Sequence, residues 1–240
     1  MNKYYQVSTM QALAQGFSKS VINVEELLGH GDLGLGTFED VDGEMIVLDG
    51  KCYRAQSHGD VIPAENERGV PFATVCSFRS MRKEYPGKTD TIEQLKSWLT
   101  LRIEEEFGLN AMYAVRIDGE FSKLEARSAS GTKAHHVTLK DALSVTQNVF
   151  FFENIKGTLV CVYYPDYLEG INAAGWHFHF ISEDKKHGGH VFDLSMIGGE
   201  ASFCRLTSVE VRIPDTPAFD TYDLKSASND EIKSAEQGKG

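Results

Sequence analysis

A chain of 240 residues suits one large domain or two small ones sharing a core, and 41% hydrophobic with 25% charged residues is an ordinary globular balance. A net charge of −11 argues against nucleic acid, because phosphate binding needs a basic stripe, and it equally disfavours an anionic membrane surface. A core of this size holds its fold without a structural metal or disulfide.

In chain order, Ser8 is placed to cap a short helix through "TMQALAQGF", and "NVEELLGH" reads as one or two further helical turns. From "GLGTFEDVDGEMIVLDGKCYRA" the pattern changes to short runs rich in Met, Ile, Val and Tyr. Asp42-Gly43 and Asp49-Gly50 separate these runs as tight turns, which predicts a β-meander. "PFATVCSF" follows as another strand. "DTIEQLKSWLTLRIEEEF" is the clearest helix: Asp90 or Thr91 caps it, and Ile92, Leu95, Leu99, Ile103 and Phe107 form one apolar face. "AMYAVRIDGEFSKLEAR" predicts a second hairpin around Asp118-Gly119. "GTLVCVYYP", "GWHFHFIS", "GHVFDLSMI" and "SFCRLTSVEVRI" predict four further strands, and the segment after Pro217 is polar.

The fold expected is α+β, with mixed, mainly antiparallel sheets, a few flanking helices and a site on adjacent strands of the C-terminal half. No linker divides the chain, so residues 1–240 form a single unit, with room for two closely packed halves of about 1–130 and 131–240. Cys52, Cys76, Cys161 and Cys204 are scattered among apolar residues, as small buried hydrophobes are, and no C-x-x-C pair suggests zinc or redox work. Residues 1–17 lack the apolar stretch of a signal peptide, and no apolar run approaches the roughly 20 residues of a membrane span. A reducing cytoplasm is the expected compartment.

The segment "GWHFHFISEDKKHGGHV" holds four of the eight histidines. Side chains alternate along a strand, so His177 and His179 point one way while Phe178 and Phe180 pack into the core on the other. "SEDKKHGG" closes a hairpin whose returning strand brings His190 opposite that pair. Three imidazoles on two neighbouring strands make an open metal site with positions left for water or substrate. His187 lies in the turn beside Lys185 and Lys186 and is expected to face solvent. His135 and His136 are adjacent and point to opposite faces, while His30 and His58 sit beside glycines in loops. Taken singly, each histidine is an ordinary polar position. The H-x-H alternation followed by Gly-Gly-His is what favours a metal, and it leaves a cupin-like oxygenase or isomerase and a hydrolytic zinc site open.

The chain resembles the alpha-acetolactate decarboxylase family. The resemblance is carried by "STMQAL", "HGDLGLGTFEDVDGEMIVLDGKCY", "PFATV", "YAVRIDGEFSKLEARS", "FENIKGTLVCVYYP" and "GWHFHFISEDKKHGGHVFD", which occur in the family's order from about Ser8 to Asp193. It implies decarboxylation of 2-acetolactate to acetoin, a zinc ion as cofactor and a homodimer. Residue by residue, His177, His179 and His190 match the zinc ligands, Thr37 and Glu44 match an active-site threonine and glutamate, and Arg127 matches the active-site arginine. Arg127 is preferred to Arg116 because it matches the arginine that ends the family's second hairpin, which leaves Arg116 to brace that hairpin. A second glutamate from the C-terminal region corresponds to Glu236, with Glu231 as the alternative. Without the resemblance, Glu44, Arg127 and Glu236 read as solvated charges and Thr37 as an ordinary strand residue.

The chemistry implied suits these residue types. Acetolactate is a β-keto acid, so loss of carbon dioxide leaves an electron pair that the ketone accepts. Zinc would stabilise the resulting enediolate, without thiamine diphosphate or a Schiff-base lysine. Arg127 would supply the local cation that an acidic protein must provide for an anionic substrate.

Overall fold

Asp49 and Gly50 both adopt left-handed backbone angles (φ 52° and 72°), as a two-residue hairpin loop demands. They join strands in register from Glu44 opposite Ala55 to Leu48 opposite Lys51. In the computed structural model, which describes residues 3–133 and 136–224, this hairpin lies within the larger of two main sheets.

The chain begins with β1 (Lys3–Val7), α1 (Met10–Ala14), β2 (Ile22–Asn23), α2 (Val24–Leu28), β3 (Leu33–Thr37), β4 (Glu44–Leu48) and β5 (Lys51–Ala55). It continues through β6 (Val61–Pro63), β7 (Gly69–Val70), β8 (Phe72–Cys76) and β9 (Arg82–Glu84) to the long helix α3 (Ile92–Glu106). Then come β10 (Met112–Ala129), α4 (Leu139–Thr146), β11 (Gln147–Tyr164), β12 (Gly175–Ser182), β13 (Gly188–Leu206) and β14 (Ser208–Arg212).

The seven-stranded sheet runs β14-β1-β8-β3-β4-β5-β6 and is antiparallel except for β1 against β14. The second sheet runs β10-β11-β12-β13-β9, and β10 also pairs with β13, so β10 to β13 close on themselves. β2 and β7 form a short separate ribbon.

Burial follows from the side-chain alternation. In β4 every residue is buried: Ile46 and Leu48 pack between the two sheets, while Met45 and Val47 pack beneath α2 on the outer face. A strand covered on both sides reads as an unbroken apolar run, as "MIVL" does. Ile92, Leu95, Leu99 and Ile103 of α3 fill the core of the closed sheet together with Phe121, Phe178 and Phe180. Burying one such side chain contributes roughly 1.5–3 kcal/mol. Thr91 caps α3, its side chain accepting from the Gln94 N–H.

Several elements differ from the expectation. Asp118-Gly119 is not a turn, because β10 runs straight through it with β11 on one side and β13 on the other. Gly119 faces Gly157 and Gly199 in one row across the three strands, a row in which a Cβ on Gly157 would come within 2.4 Å of the Ile181 carbonyl. Asp118 is held instead by Thr158 Oγ1 and Arg116 Nε. The segments "GHVFDLSMI" and "SFCRL" are likewise one strand, β13, and "SVEVR" crosses to the other sheet as β14. Thr9, not Ser8, caps α1, accepting from the Ala12 N–H. Asp42-Gly43 ends a longer connection that contains a 3-10 turn at Glu39–Val41. Helix α4 lies outside the expected elements; Thr138 caps it, its hydroxyl accepting from the Asp141 N–H and donating to the Asp141 carboxylate.

Candidate metal centre

The alternation of β12 puts Trp176, Phe178 and Phe180 in the core beneath α3, and His177, His179 and Ile181 on the face toward the seven-stranded sheet. The histidines therefore occupy positions where the inter-sheet core would otherwise continue. His190 of β13 lies directly opposite His179, and Arg127 of β10 lies directly opposite His190. From the other sheet, Thr37 at the end of β3 faces Glu44 at the start of β4.

All three imidazoles are buried. His177 Nε2 lies 3.2 Å from His179 Nε2 and 3.0 Å from His190 Nδ1. Zinc–imidazole bonds of about 2.0–2.1 Å at tetrahedral angles place ligand nitrogens about 3.3 Å apart, close to the spacing seen. His179 Nδ1 donates to the Met45 carbonyl at 2.7 Å, which fixes the tautomer and leaves Nε2 facing its neighbours. That bond also ties the two sheets together at the site. Burial, assisted by the positive charges of Arg127 and Lys96, pushes His177 down to about 3. Burial first and then His177 lower His179, against the raising effect of the Met45 carbonyl. Neutral His177 and His179 converge with His190 on one point, which is the donor set of a cation. Among the described residues this is the group of three donors close enough to hold one.

The carboxylate of Glu44 adjoins the trio, with Oε2 3.4 Å from His179 Nε2 and Oε1 3.9 Å from Arg127 Nε. Arg127 is only 3% exposed; its Nη1 donates to Gln147 Oε1 at 2.9 Å and its guanidinium lies 5.0 Å from the centre of the Phe192 ring. Thr37 Oγ1 donates to the Gly43 carbonyl at 2.9 Å, so its lone pairs remain as acceptors. These groups line one small cavity, walled on its apolar side by Leu13, Val41, Phe72, Leu139 and Leu143.

The structure thus brings Thr37, Glu44, Arg127, His177, His179 and His190 to one cavity. Glu236 and its alternative Glu231 lie outside the described residues, as does His135. His187 is in the β12–β13 turn with its side chain 44% exposed, His30 stacks on Tyr5, and His136 stacks on Tyr222. Arg116 braces, as expected, but within a strand and not a hairpin: it binds Asp118 and Asp49 at 2.7 and 2.8 Å. Sequence reasoning missed Leu139 and Leu143 of α4, which the capping pair Thr138 and Asp141 would have exposed, and Gln147, for which no local signal exists.

The model of the alpha-acetolactate decarboxylase family matches residues 4–226. The chain is 37% identical over 233 residues to the alpha-acetolactate decarboxylase of Methanosarcina mazei, covering 97% of this chain and 80% of that one. To the enzyme of Bacillus subtilis it is 34% identical, covering 91% and 84%. The crystal structure of the Bacillus subtilis strain 168 decarboxylase superposes with a TM-score of 0.92 at 32% identity, over 98% of this chain and 99% of that one. A Staphylococcus aureus protein described as similar to alpha-acetolactate decarboxylase gives 0.90 at 27% identity, over 98% and 100%. Agreement over the whole length leaves no ground for a cupin-like reading of the histidines. The chain belongs to the alpha-acetolactate decarboxylase family.

Proposed function

We propose that the protein converts 2-acetolactate to acetoin and carbon dioxide, with zinc as the ion on His177, His179 and His190. The observation that carries this reading is the meeting of three buried imidazoles with buried Glu44, Arg127 and Thr37 in one cavity of a chain of this family. Three convergent imidazole nitrogens, with His177 at near-tetrahedral spacing from each of the other two, suit zinc, and when bound it supplies Lewis acidity toward the substrate's ketone.

Arg127 binds the substrate carboxylate. A planar guanidinium can hold both oxygens, so it fixes the angle between the bond to be broken and the ketone. As that bond breaks, its electron pair passes into the ketone and the carboxyl carbon leaves as carbon dioxide. Glu44 stands beside the trio to accept the proton of the substrate hydroxyl and to manage the proton that the carbon takes up. Glu236, or Glu231 in its place, is the second carboxylate of this exchange. Thr37, across the β3–β4 pair from Glu44, lines the cavity beside the substrate hydroxyl, its own proton held by the Gly43 carbonyl. Leu139, Leu143 and Phe72 keep water away, which strengthens the hold of Arg127 on an anion.

We further propose a homodimer working in a reducing cytoplasm. Buried thiols at Cys52, Cys76, Cys161 and Cys204 support the compartment, and exposed apolar side chains such as Val149 and Phe151 support self-association. No helix among the described residues is long and apolar enough to cross a membrane.

The test is direct: purified protein given 2-acetolactate releases acetoin and carbon dioxide in equal amounts, without consuming oxygen. Oxygen consumption with bound iron in place of zinc would overturn the reading.

A further inference from the structure

We propose that Gln147 is a positioning residue for Arg127, a neutral clamp that fixes the guanidinium plane and leaves its charge intact. The proposal rests on the reading that Arg127 meets the substrate carboxylate.

An arginine side chain has about 2 kcal/mol of rotamer entropy, so bidentate recognition requires that its plane be held before the anion arrives. Among the described residues, three contacts bear on it. Gln147 Oε1 accepts from Nη1 at 2.9 Å, the Phe192 ring lies against the guanidinium at 5.0 Å, and Glu44 Oε1 lies 3.9 Å from Nε.

Topology explains how Gln147 reaches its place. Arg127 pairs with Val149 and Ala129 pairs with Gln147, so Gln147 is the diagonal neighbour of Arg127 on the same face of the ladder. Gln147 is also the residue that ends α4, its backbone N–H donating to the Leu143 carbonyl. Leu139 and Leu143 of that helix wall the cavity. One residue therefore joins the apolar cover of the site to its cation. Phe192 has its own device: Ala126 pairs with Val191 but Glu125 pairs with Asp193, so Phe192 is the extra residue of a β-bulge. The bulge lets Val191 and Leu194 both enter the core while Phe192 turns to Arg127.

The choice of an amide has chemical content. A glutamate here could accept the same hydrogen bond, but it would add a second carboxylate to that of Glu44 and compete with the substrate carboxylate for the guanidinium. An amide orients without competing.

The experiment uses zinc-loaded full-length protein with Gln147→Ala, Gln147→Glu and Arg127→Lys. It measures kcat and KM for 2-acetolactate, and by calorimetry the Kd of 2-hydroxyisobutyrate, which has the carboxylate and hydroxyl but no ketone to accept electrons. Zinc content and thermal midpoint are recorded for each variant. Gln147→Ala should weaken analogue binding and lower kcat/KM by about tenfold, the worth of one hydrogen bond to a charged group. Gln147→Glu should fall further in both, with zinc content and midpoint unchanged, although it keeps the acceptor. Wild-type behaviour of Gln147→Glu would overturn the proposal, since a purely structural hydrogen bond would survive that change. So would an unchanged Kd and kcat/KM in Gln147→Ala when Arg127→Lys loses both. If Arg127→Lys is itself unimpaired, the reading of Arg127 is what has failed, and the proposal falls with it.

Discussion

Strand β10 carries an arginine toward each end, and the two live in different worlds. Arg116 forks between Asp118 and Asp49, the latter well exposed, and stays in contact with water. Arg127, eleven residues further along and on the order of 30 Å away, is buried against an amide, an aromatic ring and the Glu44 carboxylate, facing three imidazoles. Water screens the first, so its ion pairs contribute little to stability. The second sits where the local dielectric is low and a bound anion feels its charge strongly. Residue type and strand are the same; Arg116 meets the second sheet only at its exposed Asp49 turn, whereas Arg127 is enclosed beneath that sheet, and this makes the difference.

The sharpest way to break this comparison is to replace both arginines by lysine. Arg127→Lys keeps the charge and loses the planar fork, and acetoin formation should fall ten- to about a hundredfold, or about 1.5–3 kcal/mol of transition-state stabilisation. Equal rates for the two lysine variants would erase the distinction between the two ends.

Acid should act next, and at the site end. His177 stays neutral to about 3 in the folded chain, whereas an unfolded histidine protonates near 6.5. Between those values the unfolded state binds more protons, so stability is full above 6.5 and is lost as the pH falls toward 3. For metal-free protein the slope reaches at most about 1.4 kcal/mol per pH unit for each such histidine. Urea midpoints measured across that window, for the parent and for His177→Phe, check the sign: the variant should show the shallower fall.

The smallest effect belongs to the other end. Arg116→Lys should leave the rate near normal and shift stability by less than about 1 kcal/mol, as an exposed ion-pair network does. Thermal melts at low and high salt should converge on the parent value as salt rises.

What could be read ahead of the structure divides along the same line between local and distant causes. The H-x-H step, the apolar face of α3 and the Asp49-Gly50 turn are local patterns, and each appears where the spacing places it. Asp118-Gly119 carries the same dipeptide as Asp49-Gly50 but is held straight by partners on both sides, which no local window contains. The fold class and the opposition of His179 to His190 followed from alternation and one hairpin. The convergence of Thr37, Glu44 and Arg127 on those histidines depends on one sheet packing over another, and only resemblance to a family could announce it. Gln147 shows the limit most plainly: its role comes from a diagonal contact 20 residues away in sequence.

The most direct measurement is a zinc titration of chelator-stripped protein, with acetoin formation and circular dichroism followed together. The account predicts that stripped protein keeps its secondary structure, because the cores are large without the metal, and that activity rises from zero and breaks at one zinc per chain. Full activity in the stripped protein, or collapse of the fold when the metal is removed, would contradict a catalytic metal on His177, His179 and His190.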